Sequence, residues 1–262
     1  MRLAAPPASN SVAVLYFATR DTTDLYLAEG LTEDIATGLG RLAPRVEVKA
    51  PSSVRRAQRV SPGDLRGIGR ALGVHYLVDG GLRRTPSGYR VSVRLVNTQN
   101  ELTTWGQTYD QSSTGLLDLP ATVAQAVAEA ITGALAPAER TSLAARPTRD
   151  PAAWEHVLRG NFFLARRTQE DAQRAVNEYQ EAIRLDSSYV DAYGALVLDW
   201  VLWLTKSFLN VYTSPAAAET EPLDVTVNVL LNTLVVGSVI HAPLLTTALL
   251  NVATLWMRFT VP

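Results

Sequence analysis

The chain has 262 residues, with 24 Lys plus Arg against 25 Asp plus Glu, three His and no Cys. That length supports one large domain or two small ones, and a formal net charge of −1 gives no overall field that would select nucleic acid or an anionic membrane. Without Cys, disulfides, thiolate nucleophiles and Cys-built metal centres are excluded. His75, His156 and His241 stand in no ligand spacing, so neither a metal site nor a cofactor is expected.

Charge is spread unevenly. Of the basic residues, 22 lie in residues 1–196, all of them Arg except Lys49, whereas 225–257 contains no Asp, Glu, Lys or Arg. Residues 1–10 are small, Pro-rich and polar and read as a disordered start. They lack the apolar stretch of a signal peptide, so a cytoplasmic or membrane-associated location is expected.

Ser11 to Phe17 is a short apolar, β-branched run and reads as a buried strand. Leu27, Leu31, Ile35, Leu39 and Leu42 then repeat at helical spacing over Leu25 to Leu42, with Thr32 and Asp34 on the polar side. Val46 to Val48 is a second strand. Pro62 to Leu72 is a second helix, with Asp64 in its first turn and Gly73 as its terminator. Three strands follow, His75 to Arg84, Tyr89 to Asn97 and Leu102 to Tyr109, joined by turn-forming segments. In the middle one Tyr89, Val91, Val93 and Leu95 alternate with Arg90, Ser92 and Arg94, so one face is apolar and the other carries arginine. Leu116 to Leu135 closes the unit as a helix. This order predicts an α/β fold, a mixed sheet flanked by helices.

Ser11 to Phe17, the Gly30-Leu31-Thr32-Glu33-Asp34-Ile35 segment, Leu72 to Arg84 and Trp105-Gly106-Gln107-Thr108-Tyr109-Asp110 resemble the TolB amino-terminal-like domain over about residues 11–136. In bacterial regulatory proteins this domain commonly precedes tetratricopeptide repeats, and some of these proteins carry a kinase, adenylate cyclase or DNA-binding module upstream. The resemblance implies a non-catalytic, sensor-like domain, and no output module is expected ahead of the first strand in this sequence.

Residues 137–151, with Pro137, Pro147 and Pro151, read as a linker. Residues 152–196 read as an all-α region, with helices over Trp154 to Ala165 and Glu170 to Leu185. Ala175, Tyr179, Ala182 and Ile183, followed by Leu185-Asp186-Ser187-Ser188-Tyr189, resemble the second helix and exit turn of a tetratricopeptide repeat. A protein partner is expected in the groove of such a repeat, with Tyr179, Tyr189 and Tyr193 as contacts. Residues 197–262 form an apolar tail, and for 225–257 capping helices and a membrane segment both stay open.

Other patterns carry less. The glycines of Gly67-Ile68-Gly69 through Gly73 miss the dinucleotide-binding spacing and read as parts of a short helix. Glu33 and Asp34 point about 100° apart on a helix and read as a solvated face, not an acid/base pair. No nucleophile elbow is present, and an enzyme is not expected. From Arg41 to Arg94 there are twelve basic residues against Glu47, Asp64 and Asp79, so Arg83, Arg84 and Arg94 are candidates for an anionic ligand or partner. Nucleic acid is not favoured, because only Tyr76 and Tyr89 could stack on bases there. These readings converge on a non-enzymatic regulatory or scaffold protein, with a membrane-anchored small-ligand sensor as the rival.

Overall fold

The computed structural model describes residues 8–197. The chain divides into two compact units, Met1–Ala192 and Tyr193–Pro262. In the second, residues 193–197 are helical. The tail and His241 lie outside the described residues, as does most of the expected disordered start. Among the described residues no helix is long and apolar enough to cross a membrane.

The first unit is built on a mixed sheet. Its path runs β3 (Glu47–Val48), β1 (Ser11–Val14), β4 (Tyr76–Thr85), β5 (Gly88–Asn97) and β6 (Thr103–Gln111), and the short β2 (Ala18–Thr19) also pairs with β4. β1 is parallel to β3 and β4, whereas β4, β5 and β6 form an antiparallel meander. The expected mixed sheet flanked by helices is therefore present.

Alternation along the strands sorts residues between two cores. On one side Val12, Val14, Val78, Leu82, Val91, Val93 and Leu95 pack against α1 (Leu25–Gly40) and α4 (Leu119–Thr132). The facing residues Leu31, Ile35, Leu39, Val123 and Val127 are fully excluded from solvent. On the other side Ala13, Leu15 and Leu77 meet Val54 and Ala57 of α2 (Pro51–Val60) and Ile68 of α3 (Leu65–Leu72).

Several expectations change. α2 is a helix with no apolar periodicity to announce it, because its outward positions are polar and only Val54 and Ala57 are buried. Thr32 is not on a polar face. It is 1% exposed, donates to the Ala28 carbonyl at 2.8 Å and accepts from the Phe17 amide, so it ties α1 to the segment that follows β1. The segment read as a linker contains α5 (Pro137–Leu143), whose Leu143 is buried in the α1/α4 core.

α3 follows its sequence signals. Asp64 caps its first turn by accepting from the Gly67 amide at 2.7 Å, and Gly73 ends it at φ +62°, a conformation that glycine adopts without steric cost. Gly69 lets the helix approach Thr98, whose hydroxyl donates to the Val74 carbonyl. The glycines thus serve helix packing.

Candidate functional site

α6 (Pro151–Leu164) and α7 (Gln169–Leu185) form a helical hairpin joined by Ala165 to Thr168. Asp150 caps α6 by accepting from Ala152 and Ala153, and Thr168 caps α7 by accepting from Asp171. The helices close on each other at Gly160, where a Cβ would meet the Tyr179 ring at under 3.0 Å. Tyr179 fills that space and donates its hydroxyl to Asn161 Oδ1 at 2.9 Å. One turn away, His156 Nδ1 meets Glu178 at 2.6 Å. At the open end Asp186 accepts from Thr148 and from the amide and hydroxyl of Ser188. The Ser188 contacts, then Thr148, hold its carboxyl below the usual range.

The tyrosine candidates separate here. Tyr179 is fully buried and Tyr189 is 2% exposed, so neither presents a surface to a partner, and burial chiefly raises the Tyr189 phenol. Tyr193 is half-buried, in the second unit. The Tyr179 ring fills the close approach of α6 and α7 at Gly160, and Tyr189 is buried as well.

The tip of the hairpin offers what those tyrosines do not. Phe162 and Phe163 lie edge to face at 6.1 Å and stay half-buried, with the Arg166 guanidinium 4.5 Å from the Phe162 ring. Arg174 reaches over Phe163 at 5.8 Å. Aromatic and arginine side chains together are the usual anchors of a protein interface. The sequence signal was the Phe-Phe pair next to Arg166-Arg167 at the end of a helix.

The hairpin rests on α1. Trp154 Nε1–H donates to Asp34 Oδ2 at 2.8 Å, and Leu158 fits over Gly30, where a Cβ would lie 2.6 Å from its methyls. Tyr26 donates to Glu155 at 2.5 Å, with Arg159 5.0 Å from its ring. Burial, then the Glu155 contact, pushes the Tyr26 phenol up to about 12. Asp34 is therefore not on a solvated face, whereas Glu33 stays partly exposed. Burial first, opposed by the indole hydrogen bond and aided by Glu33 and Asp191, lifts the Asp34 carboxyl to about 6. Glu33 instead accepts from the Tyr16 hydroxyl at 2.9 Å, and Arg55 lies 4.0 Å over the Tyr16 ring.

Most of the arginines have internal partners. Arg41 and Arg45 donate to carbonyls near the ends of α5 and α4, and Arg55 makes a two-pronged contact with Glu29. Arg84 binds the fully buried Asp24, which also accepts from Tyr89. Arg94 pairs with Asp79 at 2.6 Å, Arg90 with Asp110 at 2.6 Å and Arg66 with Glu101 at 3.0 Å. Of the three anionic-ligand candidates Arg84 and Arg94 are thus engaged within the fold, and Arg83 is exposed without an ion pair among the described residues. His75 contacts the Asn97 amide at 3.1 Å. Among the described residues no group of three or more His, Asp or Glu side chains is arranged to hold a metal ion.

No family model matches the chain. The putative adenylate cyclase 3 of Rhizobium meliloti (strain 1021) is 24% identical over 192 residues, covering 72% of this chain and 32% of that protein. The chain therefore spans about a third of that curated relative's length. Among solved structures it is similar to TolB from Acinetobacter baumannii, with 20% identity, 49% of this chain and 30% of that chain covered, and a TM-score of 0.37. It is also similar to a PelC dodecamer from Paraburkholderia phytofirmans, with 17% identity, coverage of 47% and 88%, and a TM-score of 0.32.

Proposed function

We propose that this chain is a regulatory scaffold module in which the α/β layer holds a tetratricopeptide-like hairpin and the hairpin tip engages a protein partner. The observation that carries this reading is the docking of α6 on α1. Trp154 and Leu158 belong to the same core as Leu31 and Ile35, so the hairpin is held in place by the sheet layer. A rigid mount lowers the ordering cost of binding, because the interface is organised before the partner arrives. Phe162 and Phe163, half-buried beside Arg166, supply the contact chemistry.

Similarity to a putative adenylate cyclase over only a third of that protein is compatible with such a module acting beside a separate output domain. It also gives a second reading, that the chain has cyclase activity itself, which an assay of cyclic AMP formation by the purified chain decides. The membrane-anchored sensor rests on 225–257 and is separated by fractionation with and without detergent.

The test of the main reading is capture with the full chain and a Phe162→Ala/Phe163→Ala variant as paired baits. A protein retained by the first and lost by the second, with unchanged thermal unfolding of the bait, supports the reading. Equal retention by both removes the hairpin tip from it.

A further inference from the structure

We propose that the side of the sheet carrying α2 and α3 is a docking face for an anionic phospholipid surface. Seven of the twelve basic residues between Arg41 and Arg94 are satisfied within the fold, as described above. The other five, Lys49, Arg56, Arg59, Arg70 and Arg83, make no ion pair among the described residues.

These five fall on one side of the sheet. Val54, Ala57 and Ile68 pin α2 and α3 to the layer made by Ala13, Leu15 and Leu77, which leaves Arg56, Arg59 and Arg70 on the outer surfaces of the two helices. Lys49 leads into α2. Arg83 alternates with Leu82, which is buried in the opposite core, and so projects from the same side of β4 as Leu77. α1, on which α6 rests, and α4 cover the other side of the sheet and leave this one clear of the hairpin.

Three features favour a lipid surface over other polyanions. Val60, at the end of α2 beside Arg59, is 77% exposed and can enter an interfacial layer that a nucleic acid does not offer. α2 and α3 carry no aromatic residue, so these helices lack the stacking platform of single-strand binders. The charges are spread over two helices and a strand, which suits the continuous field of an anionic leaflet better than a single acidic side chain. Each basic residue near such a leaflet contributes roughly fivefold in partitioning.

The test is co-sedimentation of the full chain with phosphatidylcholine vesicles and with vesicles containing phosphatidylserine, at low and high salt. The wild type should bind the phosphatidylserine vesicles more tightly, and the difference should fade as salt rises. Reversing Arg56, Arg59 and Arg70 to Glu should reduce that preference by more than about a hundredfold. The milder Arg→Gln triple variant should reduce it in the same direction, with thermal unfolding showing that both variants fold. Equal binding to both vesicle types, or a preference that survives both variants, overturns the proposal. Duplex DNA of equal charge concentration displacing the protein from phosphatidylserine vesicles overturns it in favour of nucleic acid.

Discussion

The indole of Trp154 donates to the carboxylate of Asp34 at 2.8 Å, joining the first helix of the hairpin to the first helix of the sheet layer. This contact makes the docking of the hairpin depend on the charge of one side chain. Glu33, Asp191 and Arg41 are the charged groups that act on it, and the two carboxylates favour its neutral form.

The first prediction concerns that charge. Burial raises the Asp34 carboxyl from 3.8 to about 6, so its contribution to stability is fully present below pH 3.8 and is lost as the pH rises through about 6. Asp34→Asn keeps an oxygen for the indole and cannot ionise. It should stabilise the protein by about 1–2 kcal/mol at pH 7.5, after allowance for solvent screening, and change little near pH 4. Thermal unfolding at the two pH values measures this. A variant destabilised at pH 7.5 but unchanged near pH 4 would mean that the carboxylate is needed in its charged form.

The second prediction separates two close approaches of the hairpin. At Gly160 an added methyl meets the Tyr179 ring, which is rigid, fully buried and tethered to Asn161, so the helices must part. At Gly30 it meets the ends of the Leu158 side chain, which can rotate. Gly160→Ala should therefore cost about 2–3 kcal/mol in urea unfolding, and Gly30→Ala distinctly less. Similar costs at both sites would show that the tyrosine ring yields as easily as the leucine.

How much of this was legible in the sequence follows from what each signal measures. The periodicity of Leu27, Leu31, Ile35 and Leu39 and the alternation of Tyr89, Val91, Val93 and Leu95 report burial directly, and both elements appear where the pattern puts them. α2 was hidden because only two of its residues touch the sheet. Tyr179 and Tyr189 resemble repeat residues in the sequence alone, and sequence spacing does not distinguish an aromatic that fills a groove from one that lines it. Asp34 could not be read at all, since its burial depends on Trp154, 120 residues away. The arginines follow the same rule: their number was visible, and their separation into engaged and free residues required partners distant in the chain.

The third prediction concerns the boundary at Ala136. A fragment ending there lacks Leu143, Trp154 and Leu158, all buried in the core that includes Leu31 and Ile35. Each large apolar side chain taken out of water contributes about 1.5–3 kcal/mol. The fragment should therefore unfold at least about 3 kcal/mol more easily than one ending at Ala192. Equal stability in denaturant titrations would establish 11–136 as a self-sufficient domain, with the hairpin as a passenger.

The fourth prediction rests on a hydroxyl. Tyr109 is 7% exposed, its ring lies in the core beneath the sheet, and its oxygen has no hydrogen-bond partner among the described residues. A buried polar group left without a partner is destabilising by about 1–3 kcal/mol, so Tyr109→Phe should be neutral or stabilising. Tyr89, whose ring lies in the same core, is the control. Its hydroxyl donates to the buried Asp24 at 3.3 Å, and Arg84 is the other donor to that carboxylate. Tyr89→Phe removes a donor to a buried charge and should cost about 1 kcal/mol or more. Thermal unfolding of the two variants at the same pH gives the comparison. A loss at Tyr109 as large as that at Tyr89 would mean that the Tyr109 hydroxyl is satisfied in solution, and would point to an ordered water or a ligand in that part of the core.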